Sequence, residues 1–179
     1  MAIIKWEKLT EEAVVPEKAH PTDAGMDMRV LVKEDGDFKP VTRSLDQWGT
    51  HTAITNAWDP DLGTAVKAVL IPPGYTTIFC TGLKCAVPEG YYLEINPRSS
   101  LGFKKDVMLA NTTGIIDAHY RGEIKVALHN NSPVNVYIED GERVVQCMLK
   151  KVEEVTSVVV DKLDETDRGE GGFGSTGNK

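Results

Sequence analysis

The residues of this chain best suited to chemistry are one carboxylate, an arginine–serine cluster, a lone amide and a glycine-rich end. "NTTGIIDAHYRGEIKV" (Asn111–Val126) sets Asp117 beside Gly114, Ile115 and Ile116, with Tyr120 and Gly122 just beyond. "NPRSSLGFK" (Asn96–Lys104) presents Arg98, Ser99 and Ser100 directly after a strand-like run. "DAGMDM" (Asp23–Met28) places Asp27 in an otherwise apolar strand start, and "GERVVQCML" (Gly141–Leu149) carries Gln146 inside an apolar strand. The closing "RGEGGFGSTGNK" adds Arg168, five glycines, Phe173 and the Ser175–Thr176 pair. A guanidinium and two hydroxyls among backbone N–H groups freed by glycine suit an anion, and an unpartnered aromatic ring suits a flat one. The phosphate loop G-x-x-x-x-G-K-[ST] does not fit, because Asn178 stands after Gly177 where that loop has lysine. A tail that folds over a ligand, with Phe173 stacked on it, accounts better for this composition.

Read singly, each of the other stretches also fits a structural part. Pro-Arg-Ser-Ser is a common turn, Asp117 can cap backbone amides, Asp27 can fix a turn, and Gln146 can satisfy a barrel interior.

These residues need a scaffold, and the dominant pattern is short strands broken by turn signals. "AVLIPPGYTTIFCTGLKCAVPEGYYLEINP" alternates apolar residues around Pro-Pro-Gly and Pro-Glu-Gly turns. In "GEIKVALHNNSP" Ile124, Val126 and Leu128 share one face, with Glu123, Lys125 and His129 on the other. "VNVYIEDGERVVQCML" reads as strand, Asp-Gly turn, strand. The expectation is one all-β domain, a distorted jelly roll or barrel over residues 1–163, with a flexible C-terminal arm over 164–179. The stretch from Lys33 to Ala65 is polar and turn-rich, and reads as an insertion with a short helix near Thr52–Ala57.

Composition narrows the partners. The net charge is −7, which argues against sequence-independent binding of nucleic acid, a task that needs clustered Lys and Arg. No apolar run approaches a membrane span. An odd set of cysteines (Cys80, Cys85, Cys147) without a Cys-x-x-Cys pair points to reduced thiols in a cytoplasm, the host's if the source is viral.

Taken together and in order, "AGMDM", "PRSSLGFK", "GIIDAHYRG", "GERVVQ" and "RGEGGFGSTG" resemble the five motifs of the trimeric dUTP diphosphatase (dUTPase) family. The resemblance implies hydrolysis of dUTP to dUMP and pyrophosphate by in-line attack of water on the α-phosphorus. It implies that Asp117 orients and deprotonates the water, that Arg98, Ser99 and Ser100 contact the phosphates, and that Gln146 donates to an α-phosphate oxygen. Arg168 with the Gly174–Ser175–Thr176 backbone would hold the γ end. Mg²⁺ would bridge phosphate oxygens, reached by Asp27 through water. A hairpin from Asn111 to Lys125, with the backbone of Gly114, Ile115 and Ile116 and the Asn111 side chain, would read uracil. Tyr120 under the sugar would exclude a 2′-hydroxyl, and Phe173 would stack on the base with about 1–3 kcal/mol. The family is a homotrimer with shared sites; twelve extended residues from Arg168 to Lys179 reach roughly 40 Å.

Three positions depart from the family's pattern: Ser100 stands where Gly is usual, His119 replaces a frequent acidic residue, and Val145 replaces Ala. The Lys33–Ala65 stretch exceeds the usual spacing and reads as structural decoration or a surface for a protein partner. Two rivals share the fold. A dCTP deaminase would need a glutamate where Ala127 stands, and a non-catalytic binding protein would act through the insertion.

Overall fold

Alternating apolar residues do build the strands, and their turn residues end them. The computed structural model describes residues 2–34, 36–43, 53–59 and 63–172. The strands are β1 (Lys5–Lys8), β2 (Met26–Arg29), β3 (Val41–Arg43), β4 (Ala53–Asp59), β5 (Thr64–Ile71), β6 (Thr76–Cys80) and β7 (Leu83–Ala86). β8 (Tyr91–Pro97) leads into the short helix α1 (Ser99–Lys105), then β9 (Val107–Leu109), β10 (Gly114–Ile116), β11 (Lys125–Asn130), β12 (Val136–Glu139) and β13 (Arg143–Lys151).

They form four antiparallel sheets: β10-β8-β13-β2, β3-β6-β11-β9, β12-β5-β4, and the pair β1-β7. This is the all-β, jelly-roll-type architecture expected from the strand pattern. The sheets share one core. Met28, Leu93, Ile95, Val145 and Cys147 enter it from the first, Phe79, Val126 and Leu128 from the second, and Val69, Ile71 and Ile138 from the third. The 124–128 alternation is obeyed: Ile124, Val126 and Leu128 are buried, whereas Lys125 is exposed. Among the described residues no helix is long and apolar enough to cross a membrane.

Three expectations are corrected. Residues 53–59 form the strand β4, not a helix: β4 pairs along its whole length with β5, from Ala53↔Leu70 to Asp59↔Thr64. The later part of the Lys33–Ala65 stretch thus holds one arm of a hairpin whose other strand, β5, also binds β12, while β3 pairs with β6 in another sheet. The Arg98–Ser99–Ser100 cluster opens a helix instead of a turn. α1 buries Leu101 and is pinned by Lys105, whose Nζ donates to Glu142 Oε1 at 2.7 Å and to the Tyr137 carbonyl at 3.0 Å. The segment from Asn111 to Lys125 is not a hairpin. β10 pairs with β8 and β11 with β6 and β9, so the chain between them crosses from one sheet to another. For the same reason β12 and β13, though joined by the Asp140–Gly141 turn, lie in different sheets.

All three thiols are free and buried. Desolvation pushes the Cys80 and Cys147 thiols up to about 12 and raises that of Cys85. Since the thiolate is the reactive form, a disulfide reagent at about pH 8 should find no fast-reacting cysteine in the native protein and all three after unfolding in guanidinium. A fast native thiol would contradict this burial.

Candidate active site

The first sheet carries most of the residues singled out by the sequence. Antiparallel register sets Asp27 of β2 opposite Gln146 of β13, and Gln146 opposite Asn96 of β8. Directly opposed residues point to the same face, so these three side chains form a polar row on the face away from Met28, Val145, Ile95 and Cys147. Thr113, just before β10, continues the row by donating from Oγ1 to Asn96 Oδ1 at 3.3 Å. Glu94, two residues back on β8, accepts from Asn96 Nδ2 at 2.9 Å and from the Tyr92 hydroxyl at 3.2 Å.

At the β2 edge, Asp27 lies between two guanidiniums. Arg98 Nε approaches Oδ1 at 3.1 Å and Arg143 Nη1 approaches Oδ2 at 3.0 Å. Gln146 rests beside Gly25 and donates weakly to the Pro97 carbonyl at 3.4 Å. A Cβ on Gly25 would fall 2.7 Å from Gln146 Oε1, so glycine there leaves room for the amide. The hydroxyls of Ser99 and Ser100 follow Arg98 at the start of α1 and make no hydrogen bond among the described residues.

At the opposite edge, the turn after β10 is held by its backbone. Tyr120 N–H donates to the Asp117 carbonyl at 3.1 Å, and the Tyr120 hydroxyl donates to the Glu123 carbonyl at 2.9 Å. The ring lies over Gly122, where a Cβ would stand 2.6 Å from Cζ. The carboxylate of Asp117 is exposed and has no hydrogen bond or ion pair among the described residues. Asn111 Nδ2 donates to the Thr113 carbonyl at 3.3 Å, inside a tight turn where Thr112 adopts φ 61°. Ile115 is exposed, Gly114 packs against Ile95, and the exposed Lys125 Nζ lies 3.8 Å from Glu123 Oε2.

The structure therefore brings Asp27, Arg98 and Gln146 together and keeps Asp117 apart from them. Gly114 opposes Ile95 and Ile116 opposes Leu93, so the chain runs away from Asn96 as it approaches Asp117. Backbone spacing separates Asp117 from Gln146 by roughly 13 Å along the strands and about 10 Å across them. Arg168 lies on an exposed segment and its Nε donates to the Gly171 carbonyl at 2.8 Å; Phe173, Gly174, Ser175 and Thr176 lie outside the described residues.

Sequence reasoning missed Arg143, Asn96 and Thr113. A signal for the first was present: Val144 and Val145 are adjacent apolar residues between Arg143 and Gln146, which breaks the period of two and marks a bulge.

Comparison with known proteins fits this geometry. The dUTPase family model matches residues 61–177. A deoxyuridine 5′-triphosphate nucleotidohydrolase of Fusobacterium nucleatum subsp. nucleatum is 35% identical over 178 residues, covering 99% of each chain. The chain belongs to the dUTPase family. Another enzyme of that name, from a Hydrogenobaculum species, is 44% identical over 127 residues, 71% of this chain and 88% of its own. In fold the chain is similar to the dUTPase of Staphylococcus bacteriophage 80alpha with dUPNHPP, at a TM-score of 0.70, 21% identity and 98% coverage of both chains. The F. nucleatum match runs end to end, so this dUTPase family member shares its overall length, the 33–65 stretch included, with a curated relative.

A Gly122→Ala variant should push the Tyr120 ring aside and break its bond to Glu123. The expected loss is about 1 kcal/mol in urea denaturation. In a Tyr120→Phe background, where that bond is already absent, the same substitution should cost less.

Proposed function

We propose that this chain hydrolyses dUTP to dUMP and pyrophosphate, with Asp117 as the base that orients and deprotonates the attacking water. The observation that carries this reading is the family match together with the Asp27–Arg98–Gln146 cluster, in which residues from three of the five motifs meet near one sheet edge. An exposed carboxylate on a backbone-fixed turn is free to accept a proton from water, and at neutral pH a positioned general base supplies about 10²–10⁴-fold. The remaining acceleration comes from positioning and charge: Arg98, Ser99, Ser100 and Gln146 supply donors for the phosphates. Uracil is read by the backbone of Gly114–Ile116 and by Asn111. That segment works as the edge of the first sheet, not as a hairpin, and so offers free donors and acceptors on the side away from β8.

Among the described residues no cluster of three metal-ligating side chains occurs. The donor set fits a hard cation held chiefly by triphosphate oxygens and water. Asp27 still has lone pairs beyond those its arginines occupy and can accept from a metal-bound water. Mg²⁺, when bound, neutralises phosphate charge there. A mutant dUTPase from phage phi11 of S. aureus, 18% identical to this chain, coordinates a structural Mg(II) ion.

The separation of Asp117 from Arg98 and Gln146 supports a homotrimer with shared sites, since a water beside Asp117 lies out of reach of phosphates held by the same chain. The C-terminal segment supports it as well. Beyond Val152 the described residues hydrogen-bond only among themselves, while Val155, Val159 and Leu163 are 86%, 99% and 76% exposed. Such an apolar run marks an interface. Sixteen residues from Val152 to Asp167 reach about 50 Å when extended, enough to bring Arg168 and Phe173 to a neighbour's site. On this reading the arm begins after Val152, ahead of the 163/164 limit expected from the sequence.

The test is pyrophosphate release from dUTP, dCTP, dTTP and UTP compared side by side with Mg²⁺; dUTP should be the preferred substrate, and equal turnover of all four would refute the assignment. Asp117→Asn should fold, bind dUTP and lose about 10²–10⁴-fold in kcat. Deleting Arg168–Lys179 should spare the fold and abolish most turnover.

A further inference from the structure

β13 contains an irregularity that no phosphate-binding role explains. Its register with β2 shifts between Arg143 and Val145: Arg143 opposes Arg29 and Val145 opposes Met28, with Val144 unmatched. Val144 and Val145 are both fully buried although they are consecutive. An extra residue in a strand re-aims the side chains beside it. Simple alternation from Gln146 would put Val144 on the polar face and turn Arg143 toward the core; the bulge reverses this and delivers Arg143 to Asp27.

The bulge also holds Arg98 directly. Arg98 N–H donates to the Val144 carbonyl at 3.1 Å, and its Nη1 donates to the Arg143 carbonyl at 3.1 Å. With Nε on Asp27 Oδ1 at 3.1 Å, two contacts fix the guanidinium plane, and the backbone bond anchors the residue that carries it. Nη2 and one Nη1–H remain for a ligand. The Asp27 carboxylate is the shared element, one oxygen on each arginine. It is only 20% exposed, so removing either arginine leaves it poorly neutralised.

We propose that the Arg143–Val145 bulge and Asp27 form one positioning unit for Arg98, in which Arg143 acts through Asp27 and not on the substrate. This rests on the dUTP-hydrolysis reading. It assigns the arginine of "GERVVQ" a role distinct from that of Gln146 in the same stretch. Arg143 makes a single N–H···O contact to Asp27, so lysine can replace it, whereas glutamine leaves the carboxylate to rotate and carry Arg98 with it.

The experiment is a double-substitution cycle on the full chain, reading the dissociation constant of a non-hydrolysable imido analogue of dUTP by calorimetry, with KM, kcat and Tm for each variant. Arg143→Gln should weaken analogue binding about 10-fold and raise KM with little change in kcat, as expected for lost uniform binding. Arg143→Lys should restore most of it. In an Arg98→Gln background, Arg143→Gln should change binding less than about twofold, because the residue it positions is gone. Equal effects in both backgrounds would show that Arg143 meets the phosphates itself and overturn the proposal. A lowered Tm with unchanged binding would reduce Arg143 to a structural part and overturn it too. If the unsubstituted chain neither binds the analogue nor turns over dUTP, the functional reading fails and takes the proposal with it.

Discussion

Strand β13 is hydrogen-bonded along both edges, to β2 on one side and β8 on the other, and the placement of every polar residue on that sheet depends on its register. Side chains alternate with a period of two, so a one-residue slip would carry Gln146 into the core and Cys147 onto the polar face. The register is locked from below: Val145 and Cys147 are fully buried against Met28, Leu93 and Ile95. Burying a side chain of this size is worth about 1.5–3 kcal/mol, so a slipped pairing would forfeit several such contacts at once. The polar row from Asp27 through Gln146 and Asn96 to Thr113 is thus a by-product of apolar packing on the other side of the sheet.

The same register divides the chemistry. The arginines and Asp27 gather at the β2 edge, and Asp117 stands beyond the β10 edge. On the proposed reading a single chain therefore carries two separate parts of the site, one at each edge of the sheet. An edge strand with free backbone groups and an exposed apolar tail are liabilities for a monomer. They become assets when a second copy covers them. On the proposed reading, association and catalysis are one requirement, since the contact that buries Val155 and Val159 also brings one chain's base toward another chain's arginines.

Strands with strong alternation were legible in the sequence because each buries one face locally: β8 and β11 follow the pattern of their residues. What sequence could not supply was partnership. β10 and β11 look like the arms of one hairpin because turn residues lie between them, yet each finds its neighbours far along the chain, at Leu93–Ile95 and Thr76–Cys80. β4 escaped notice because the described side chains of Ile54–Ala57 are at most partly buried and carry no clean apolar stripe. α1 leaves little trace in the sequence because Ser-Ser and Gly102 are poor helix formers; its seven residues are held by Leu101 in the core and by Lys105 on Glu142. Of the site, residue types were legible and geometry was not. Nothing in "GERVVQ" states that its arginine and its glutamine serve different neighbours, although the doubled valine marks the bulge that separates them.

The contrast between the two carboxylates follows from these surroundings. Asp27 is gripped by two guanidiniums and largely covered, so it is held in place. Asp117 is exposed, and only its backbone carbonyl is engaged, by Tyr120. A carboxylate used for structure needs partners on both oxygens; one used as a base needs an oxygen left for water. The fold separates these needs by distance, placing Arg98 and Arg143 at one corner of the sheet, while among the described residues no cation pairs with Asp117 at the other. A guanidinium beside Asp117 would occupy the oxygen that a water needs. On the proposed reading, a site split between chains brings a neighbour's arginines to the bound phosphates while leaving an oxygen of Asp117 for water.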